Sequence, residues 1–432
     1  MNEIKMIPFS SVLKDNTSKF TKIKKQDYLE KGTYKIIDQG QSFIAGFTND
    51  SNCVNNFNDE VIIFGDHTRI FKFINFPIAI GADGVKVLEV INKDKYDLKF
   101  LYYYLKSVKL HDAGYSRHFK FLKEIKIPFL SLQDQQKIAG LLSQIEELIN
   151  KREESIKLLD ELIKSSFLNI FGDPYLNKLS FNQKGFLDIF DITTGKLDSN
   201  ASEINGIYPF FTCAKETFKI NSFAFNQEAL LLAGNNAVGD YSIKYYNGKF
   251  NAYQRTYVLT LKDRQNSSYV FNKILLELKL LELQKKSIGA NTKYLTLKIL
   301  EKIQLIKPPK PLQDKFAERV TQIENIKTIY QNSLIELNNL FGSIAQKAFK
   351  GELDVSKIEL IRKEQEEITM AIKLDENKLL EEIKKGDFEA SKYVNEHQNY
   401  DAIKDMIFKL IEDGKISQKF DDIYKKIILE VN

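Results

Sequence analysis

Two stretches decide the reading of this chain. Residues 132–173 run LQDQQKIAGLLSQIEELINKREESIKLLDELIKSSFLNIFGD, and residues 312–352 run LQDKFAERVTQIENIKTIYQNSLIELNNLFGSIAQKAFKGE. Each opens on Leu-Gln-Asp and carries Gln-Ile-Glu before a long aliphatic run. Aligned on Leu132 and Leu312 the offset is 180; aligned on Ser143-Gln144-Ile145-Glu146 and Thr321-Gln322-Ile323-Glu324 it is 178. That alignment implies a slip of two residues, after which 178 holds for Ser155 with Ser333, Leu159 with Leu337 and Leu162 with Leu340. In the first stretch Leu142, Ile149, Ile156, Ile163 and Ile170 recur every seven residues, with Ile145 and Leu159 in the companion position. The second gives Val320, Leu334, Phe341 and Ala348, with Ile323, Tyr330, Leu337 and Ile344 as companions. A heptad held this long makes a coiled-coil seam, and each helix of about 40 residues would span roughly 60 Å. The natural partner of each helix is the other. Arg152, Ser166 and Lys327 interrupt the seam, and polar seam residues trade stability for register.

The repetition extends upstream. Gly114-Tyr115-Ser116-Arg117-His118-Phe119 resembles Gly289-Ala290-Asn291-Thr292-Lys293-Tyr294. Phe57-Asn58-Asp59-Glu60 before VIIFG resembles Phe225-Asn226-Gln227-Glu228 before ALLLAG, and Gly32-Thr33-Tyr34 resembles Gly206-Ile207-Tyr208. A whole domain plus helix is therefore duplicated, a period too long for a solenoid. The globular parts hold short β-branched and aromatic runs, such as 60–64, 76–80 and 256–261, which read as strands. Each also carries one helical stretch, at 97–107 and 268–286. The expected fold is α+β: two globular domains alternating with two long helices that pair as an antiparallel coiled coil, in a pseudo-two-fold repeat. The expected boundaries are 1–130, 131–173, 174–307, 308–353 and a helical extension at 354–432.

Hydrophobic residues make up 43% of the 432-residue chain and charged residues 28%, a globular composition. No apolar run is long enough to span a bilayer and the first residues lack a signal-peptide pattern, so no membrane association and a cytoplasmic location are expected. Cys53 and Cys213 fit neither a disulfide framework nor a zinc cluster. The net charge of +5, from 63 basic and 58 acidic residues, permits a nucleic-acid partner without requiring one. The chain lacks the phosphate-binding loop, the HExxH pair and the nucleophile elbow. Asp66-His67-Thr68 could be read as acid–base machinery, but Asn235-Asn236 in the second copy cannot move protons, so a non-catalytic binding protein is favoured.

The polar loops supply the candidate DNA contacts. After one strand come His67, Thr68 and Arg69, with Lys72 beyond; a second loop carries Ser116, Arg117, His118 and Lys120. The second copy offers Asn235, Asn236, Lys244, Gln254 and Arg255, then Asn291, Thr292 and Lys293. Arg and Lys suit guanine edges and phosphates, Asn and Gln suit adenine edges.

Variable domains alternating with similar helices resemble the specificity subunits of type I restriction-modification systems. Ile127-Pro128-Phe129-Leu130-Ser131-Leu132-Gln133-Asp134-Gln135-Gln136-Lys137-Ile138-Ala139 is similar to that family's entry into its first helix. Ile306-Lys307-Pro308-Pro309-Lys310-Pro311-Leu312-Gln313 resembles the second entry, with Phe316-Ala317 departing from Gln-Lys-Ile-Ala, and Ala345–Leu353 resembles its ending. The likeness covers residues 1 to about 353. It implies that each globular domain is a target recognition domain reading half of a split double-stranded DNA sequence. The helices then act as a ruler and dock two modification (adenine methyltransferase) subunits, joined by restriction motor subunits. S-adenosylmethionine, ATP and magnesium would belong to those partners, with none held by this chain. The other reading is a coiled-coil protein-interaction scaffold that does not read DNA.

Overall fold

A computed structural model describes residues 4–54, 60–81, 83–111, 114, 116–358, 376–385, 407, 409–411, 413–421 and 426–431. Contacts divide the chain into two compact units, residues 1–143 with 344–432, and residues 144–343.

In the first unit the strands are β1 (Met6–Pro8), β2 (Leu13–Asp15), β3 (Lys22–Ile23), β4 (Tyr34–Ile37), β5 (Gly46–Thr48), β6 (Val61–Gly65), β7 (Phe71–Ile74), β8 (Ala79–Gly81) and β9 (Val85–Val90). Helices α1 (Leu98–Ser107) and α2 (Phe119–Leu122) and strand β10 (Lys126–Pro128) lead into α3 (Leu132–Phe171). One sheet has the order β2-β9-β6-β7, all antiparallel; a second has the order β3-β8-β4-β5, with β8 parallel to both β3 and β4. All five residues of β6, VIIFG, are buried, which is why that strand reads as an unbroken apolar run rather than an alternation. β1 pairs with β10.

The second unit repeats this plan with longer strands. Its elements are β11 (Gln183–Gly185), α4 (Phe186–Ile189), β12 (Phe190–Thr194), β13 (Tyr208–Phe211), β14 (Phe218–Ile220), β15 (Phe225–Ala233), β16 (Asn235–Asn236), β17 (Ile243–Ala252) and β18 (Thr256–Leu261). Then follow α5 (Tyr269–Lys286), β19 (Lys293–Tyr294), α6 (Leu297–Leu300), β20 (Gln304–Ile306) and α7 (Lys310–Phe349). The main sheet has the order β12-β18-β15-β17-β13-β14. β11 pairs with β20, as β1 does with β10. The matched Gly32–Tyr34 and Gly206–Tyr208 both lead into a strand beginning at the tyrosine.

Both long helices have 40 residues and begin 178 apart, so there is no two-residue slip. The match of Leu132-Gln133-Asp134 to Leu312-Gln313-Asp314 is a coincidence of spelling. The true counterparts are Gln135-Gln136-Lys137-Ile138-Ala139 and Gln313-Asp314-Lys315-Phe316-Ala317, and the second entry thereby keeps the Gln-x-Lys-apolar-Ala pattern. The structure gives the reason. Gln135 and Gln313 are fully buried, whereas Gln133 is exposed. The Gln135 Oε1 accepts from the Asp97 amide (3.0 Å), and its Nε2 donates to the Lys95 and Leu130 carbonyls (both 2.9 Å). The Gln313 Oε1 accepts from the Ser268 amide (3.0 Å), and its Nε2 donates to the Asn266 and Pro308 carbonyls (3.5 and 2.7 Å). Asp97 and Ser268 are the N-caps of α1 and α5, accepting from the Phe100 and Phe271 amides. Phe349 packs edge-on against Phe100 at 5.6 Å, and its counterpart Phe171 packs edge-on against Phe271 at 4.9 Å. One joint is therefore built twice.

Every seam position of α3 and α7 is buried or half-buried, the polar Arg152, Ser166 and Lys327 included. Within the second unit the helices run antiparallel. The Arg152 guanidinium lies 4.1 Å from the Tyr330 ring centre, Asp160 accepts from the Lys327 ammonium, and Phe167 packs on Phe316 at 5.6 Å. Arg152 and Tyr330 are themselves 178 apart, so two equivalent positions face each other.

The extension departs from the all-helical expectation. α8 (Glu376–Lys385) is followed by an antiparallel hairpin, β21 (Ile416–Asp421) and β22 (Lys426–Val431). Leu379, Ile383, Leu410 and Ile416 form its core, with Ile407, Ile411 and Leu429 against it. In the extension, Phe388, Tyr393, Tyr400, Met406 and Phe408 lie outside the described residues, as do Phe57–Asp59 and Tyr115 of the first domain.

Candidate nucleic-acid interface

In the first domain the β6–β7 connection is a tight turn closed by Arg69 N donating to the Gly65 carbonyl (2.7 Å) and Gly65 N donating to the Ile70 carbonyl (2.9 Å). Arg69 occupies the left-handed region, φ 63°, which a residue with a side chain enters at a cost. A Cβ on Gly65 would come within 2.1 Å of the Thr68 hydroxyl, so glycine is required there. The turn is anchored from below. Thr68 Oγ1 donates to the Gln39 carbonyl (2.6 Å), and the His67 amide donates to Gln39 Oε1 (3.2 Å).

Asp66 ties this turn to the second loop. Its carbonyl accepts from the His118 amide (2.8 Å) and its carboxylate accepts from the Phe119 amide (2.7 Å) at the start of α2. The carboxylate is thus committed to a backbone amide. His118 is buried with Nδ1 3.1 Å from the Asp66 carbonyl, so it supports the loop and leaves the accessible set. Lys72 leaves it too. It is buried, and its ammonium donates to the Asp38 and Ser42 carbonyls (2.8 and 2.6 Å). Burial pushes its pKa below the usual lysine value, with Asp38 pulling the other way. What remains open is Thr68, Arg69, Arg117 and Lys120, flanked by half-buried His67 and Ser116.

The second domain joins the same two regions through strands. Asn235 and Asn236 pair with Tyr294 and Lys293. The Gly234 carbonyl accepts from the Leu295 amide, as the Asp66 carbonyl does from His118. Asn236 Oδ1 accepts from the Val238 and Asp240 amides, so this side chain shapes the turn. The Arg255 guanidinium sits 5.2 Å from the Tyr294 ring centre; in the two segments so joined, Gln254 and Asn291 are exposed and Thr292 is half-buried. Lys244 is drawn inward, donating to the Ala214 and Glu216 carbonyls (2.7 and 2.8 Å), and burial lowers its pKa. It braces the 214–216 turn. The Gly114 and Gly289 loops are not equivalent residue for residue, since His118 and Phe119 open α2 while Lys293 and Tyr294 precede α6.

Sequence reasoning missed Gln39, the anchor of the first turn. A lone glutamine in a polar turn gives no signal until its partner is known. Among the described residues no group of three His, Cys, Asp or Glu could hold a metal ion, and no helix is long and apolar enough to cross a membrane.

Two similar domains, each presenting a paired loop site and each fastened to a long helix through the same buried-glutamine joint, define a duplicated protein. Residues 11–158 and 181–339 match the family described as type I restriction modification DNA specificity domain, and the chain belongs to that family. It is 26% identical over 323 residues to the type I restriction enzyme MjaIX specificity subunit of Methanocaldococcus jannaschii, covering 62% of this chain and 72% of that one. A shorter block of 72 residues is 58% identical to the EcoDI specificity subunit of Escherichia coli, 17% of this chain and only 16% of that relative's length. The fold is similar to the crystal structure of a type I restriction-modification S subunit from M. genitalium (TM-score 0.57, 19% identity), covering 81% of this chain and 97% of that one.

Proposed function

We propose that this chain is the DNA-reading subunit of a type I restriction-modification complex, itself non-catalytic, and that its two domains each read one half of a bipartite target. The observation that carries the reading is the doubled loop site. The same two segments are joined in both domains, and each site exposes hydrogen-bonding side chains of different identity: Thr68, Arg69, Arg117 and Lys120 in one, Gln254, Arg255 and Asn291 in the other. A shared frame with different side chains is what two half-sites of unlike sequence need. In this reading the 40-residue helices set the number of unread bases between the halves. Partner subunits dock on their outer faces, where equivalent apolar residues, Leu148 with Ile326 and Leu162 with Leu340, lie exposed. Two modification subunits would supply S-adenosylmethionine-dependent adenine methylation, and motor subunits would use ATP and magnesium.

Genome-wide mapping of N6-methyladenine, with and without this chain in cells carrying a cognate modification subunit, tests the proposal. Loss of one bipartite motif on deletion supports it. Unchanged methylation with the subunit bound moves the reading to a protein-interaction scaffold. A four-residue insertion between Lys151 and Arg152, matched in α7, should lengthen the tolerated gap; an unchanged gap sinks the ruler.

A further inference from the structure

Residues 237–240 follow β16 in the second domain's site, and the polar side chains around them are engaged. Asn236 Oδ1 accepts from the Val238 and Asp240 amides (2.9 and 3.2 Å), and the Asp240 carboxylate meets the Lys215 ammonium at 2.6 Å. Val238 is different. Its side chain is 70% exposed. Yet both of its backbone groups are held: the amide donates to Asn236, and the carbonyl accepts from Gln284 Nε2 on α5 (3.2 Å). Gly239 follows in the left-handed region, φ 74°, where a Cβ would come 3.1 Å from the Gln284 side chain and 3.5 Å from that of Lys293. The chain thus turns back onto α5 and β19 directly after Val238. A single exposed valine on a loose loop is ordinary and signals nothing. Here the apolar side chain is held in water on a clamped backbone, so much of the ordering that binding demands has already taken place. The corresponding turn of the first domain, His67-Thr68-Arg69 between Asp66 and Ile70, has no apolar side chain. The fold therefore does not require one at this place.

We propose that Val238 is a specificity residue that meets the C5 methyl group of a thymine in the major groove of the half-site read by the second domain. That methyl is the apolar feature of a base-pair edge in the groove, and an apolar side chain is its natural contact. The start of the loop is bonded to the 253–255 segment, the Gly234 amide donating to the Arg255 carbonyl (2.9 Å), and in that segment exposed Gln254 carries the amide that suits adenine. The site thus holds both kinds of side chain that an A·T pair takes. The inference rests on the DNA reading proposed above and assigns a thymine to the second half-site.

The test uses the full chain with two duplexes, one bearing the motif found by methylation mapping and one scrambled, and measures affinity by fluorescence anisotropy. Each thymine of the motif is replaced in turn by deoxyuridine, which keeps the pairing and removes only the methyl. One replacement, in one half-site, should weaken wild-type binding by about 3–5-fold, the worth of roughly one buried methylene. Val238→Ala should weaken the unmodified motif by a similar factor and leave the scrambled duplex unaffected. It should also lose its sensitivity to that one replacement while keeping any other, as a double-mutant cycle requires of two groups in contact. Its Tm should not move, because the deleted methyls are exposed. Val238→Ile should keep the sensitivity. If no replacement matters, or if Val238→Ala stays as sensitive as wild type to every one, the contact does not exist, and the DNA reading still stands. Equal weakening of the motif and scrambled duplexes by Val238→Ala would give Val238 a role in loop support, which also overturns the inference. Wild-type binding that does not prefer the motif to the scrambled duplex would bring down the DNA reading itself, and this inference with it.

Discussion

Exchanging Arg152 and Tyr330 probes the duplication at its centre. The two positions are equivalent in the repeat and face each other across the seam, 4.1 Å from guanidinium carbon to ring centre. Tyr330→Arg alone sets guanidinium against guanidinium. At about 4 Å and an effective dielectric near 20, like charges cost about 4 kcal/mol, and the lost cation–π contact adds about 1 kcal/mol. Both side chains are half-buried and can splay toward water, so a net loss of about 2–3 kcal/mol is expected. For a unit of this size that is roughly 4–12 °C in Tm. Arg152→Tyr alone replaces the pair by two stacked phenols, within about 1 kcal/mol of the original. The double exchange, Arg152→Tyr with Tyr330→Arg, recreates the pair with its sense reversed and should return the stability to within about 0.5 kcal/mol, by the logic of a double-mutant cycle. Thermal and denaturant unfolding of the full chain measures all four proteins. If the exchanged protein is as unstable as Tyr330→Arg alone, the positions are not interchangeable and the internal symmetry does not extend to the seam.

Three further outcomes are expected. Arg69→Gly should relieve the left-handed turn and raise stability by about 0.5–1 kcal/mol while altering recognition of one half-site only; a drop in Tm, or equal loss at both halves in methylation mapping, contradicts this. Gln135→Leu and Gln313→Leu should each cost about 3 kcal/mol, because each strands a buried cap amide and carbonyls, and the two losses should match; a large difference in their unfolding midpoints would mean that the joints are not equivalent. Burial and the hydrogen bond to Glu228 push the Tyr245 phenol up to about 12. The folded state thus favours the neutral phenol. Its contribution is complete below the unfolded value near 10 and is lost as pH rises from about 10 to 12. Thermal melts across that window should fall less steeply for Tyr245→Phe than for wild type, and parallel curves would exclude the effect.

The periodic parts of the fold were legible from sequence. The heptad positions of both long helices come out buried or half-buried, and strand composition found β6 and β18, because periodicity and burial are the same fact seen twice. The offset was misread at Leu132 because three matching letters outweighed helix register, and only the burial of Gln135 and Gln313 corrects it. The loop sites were found as segments but not residue by residue. Lys72, His118 and Lys244 look like surface groups in a string of letters, yet each bonds to, or lies against, backbone carbonyls that no spacing rule points to. Phe167, off the seam and fully buried, stacks on Phe271 of α5, a tertiary contact that heptad counting cannot anticipate.

The doubled joint also bears on inheritance. Each recognition segment is fastened through a helix cap, an aromatic residue three positions later and one buried glutamine that bonds only to backbone on the segment's side. Backbone is the same whatever the side chains. A foreign segment with a serine or aspartate cap and a phenylalanine after it presents the same amide, carbonyl and ring to the same glutamine and phenylalanine. A segment exchanged at these borders would therefore keep the joint whole, and the two copies within the chain present compatible ends to each other.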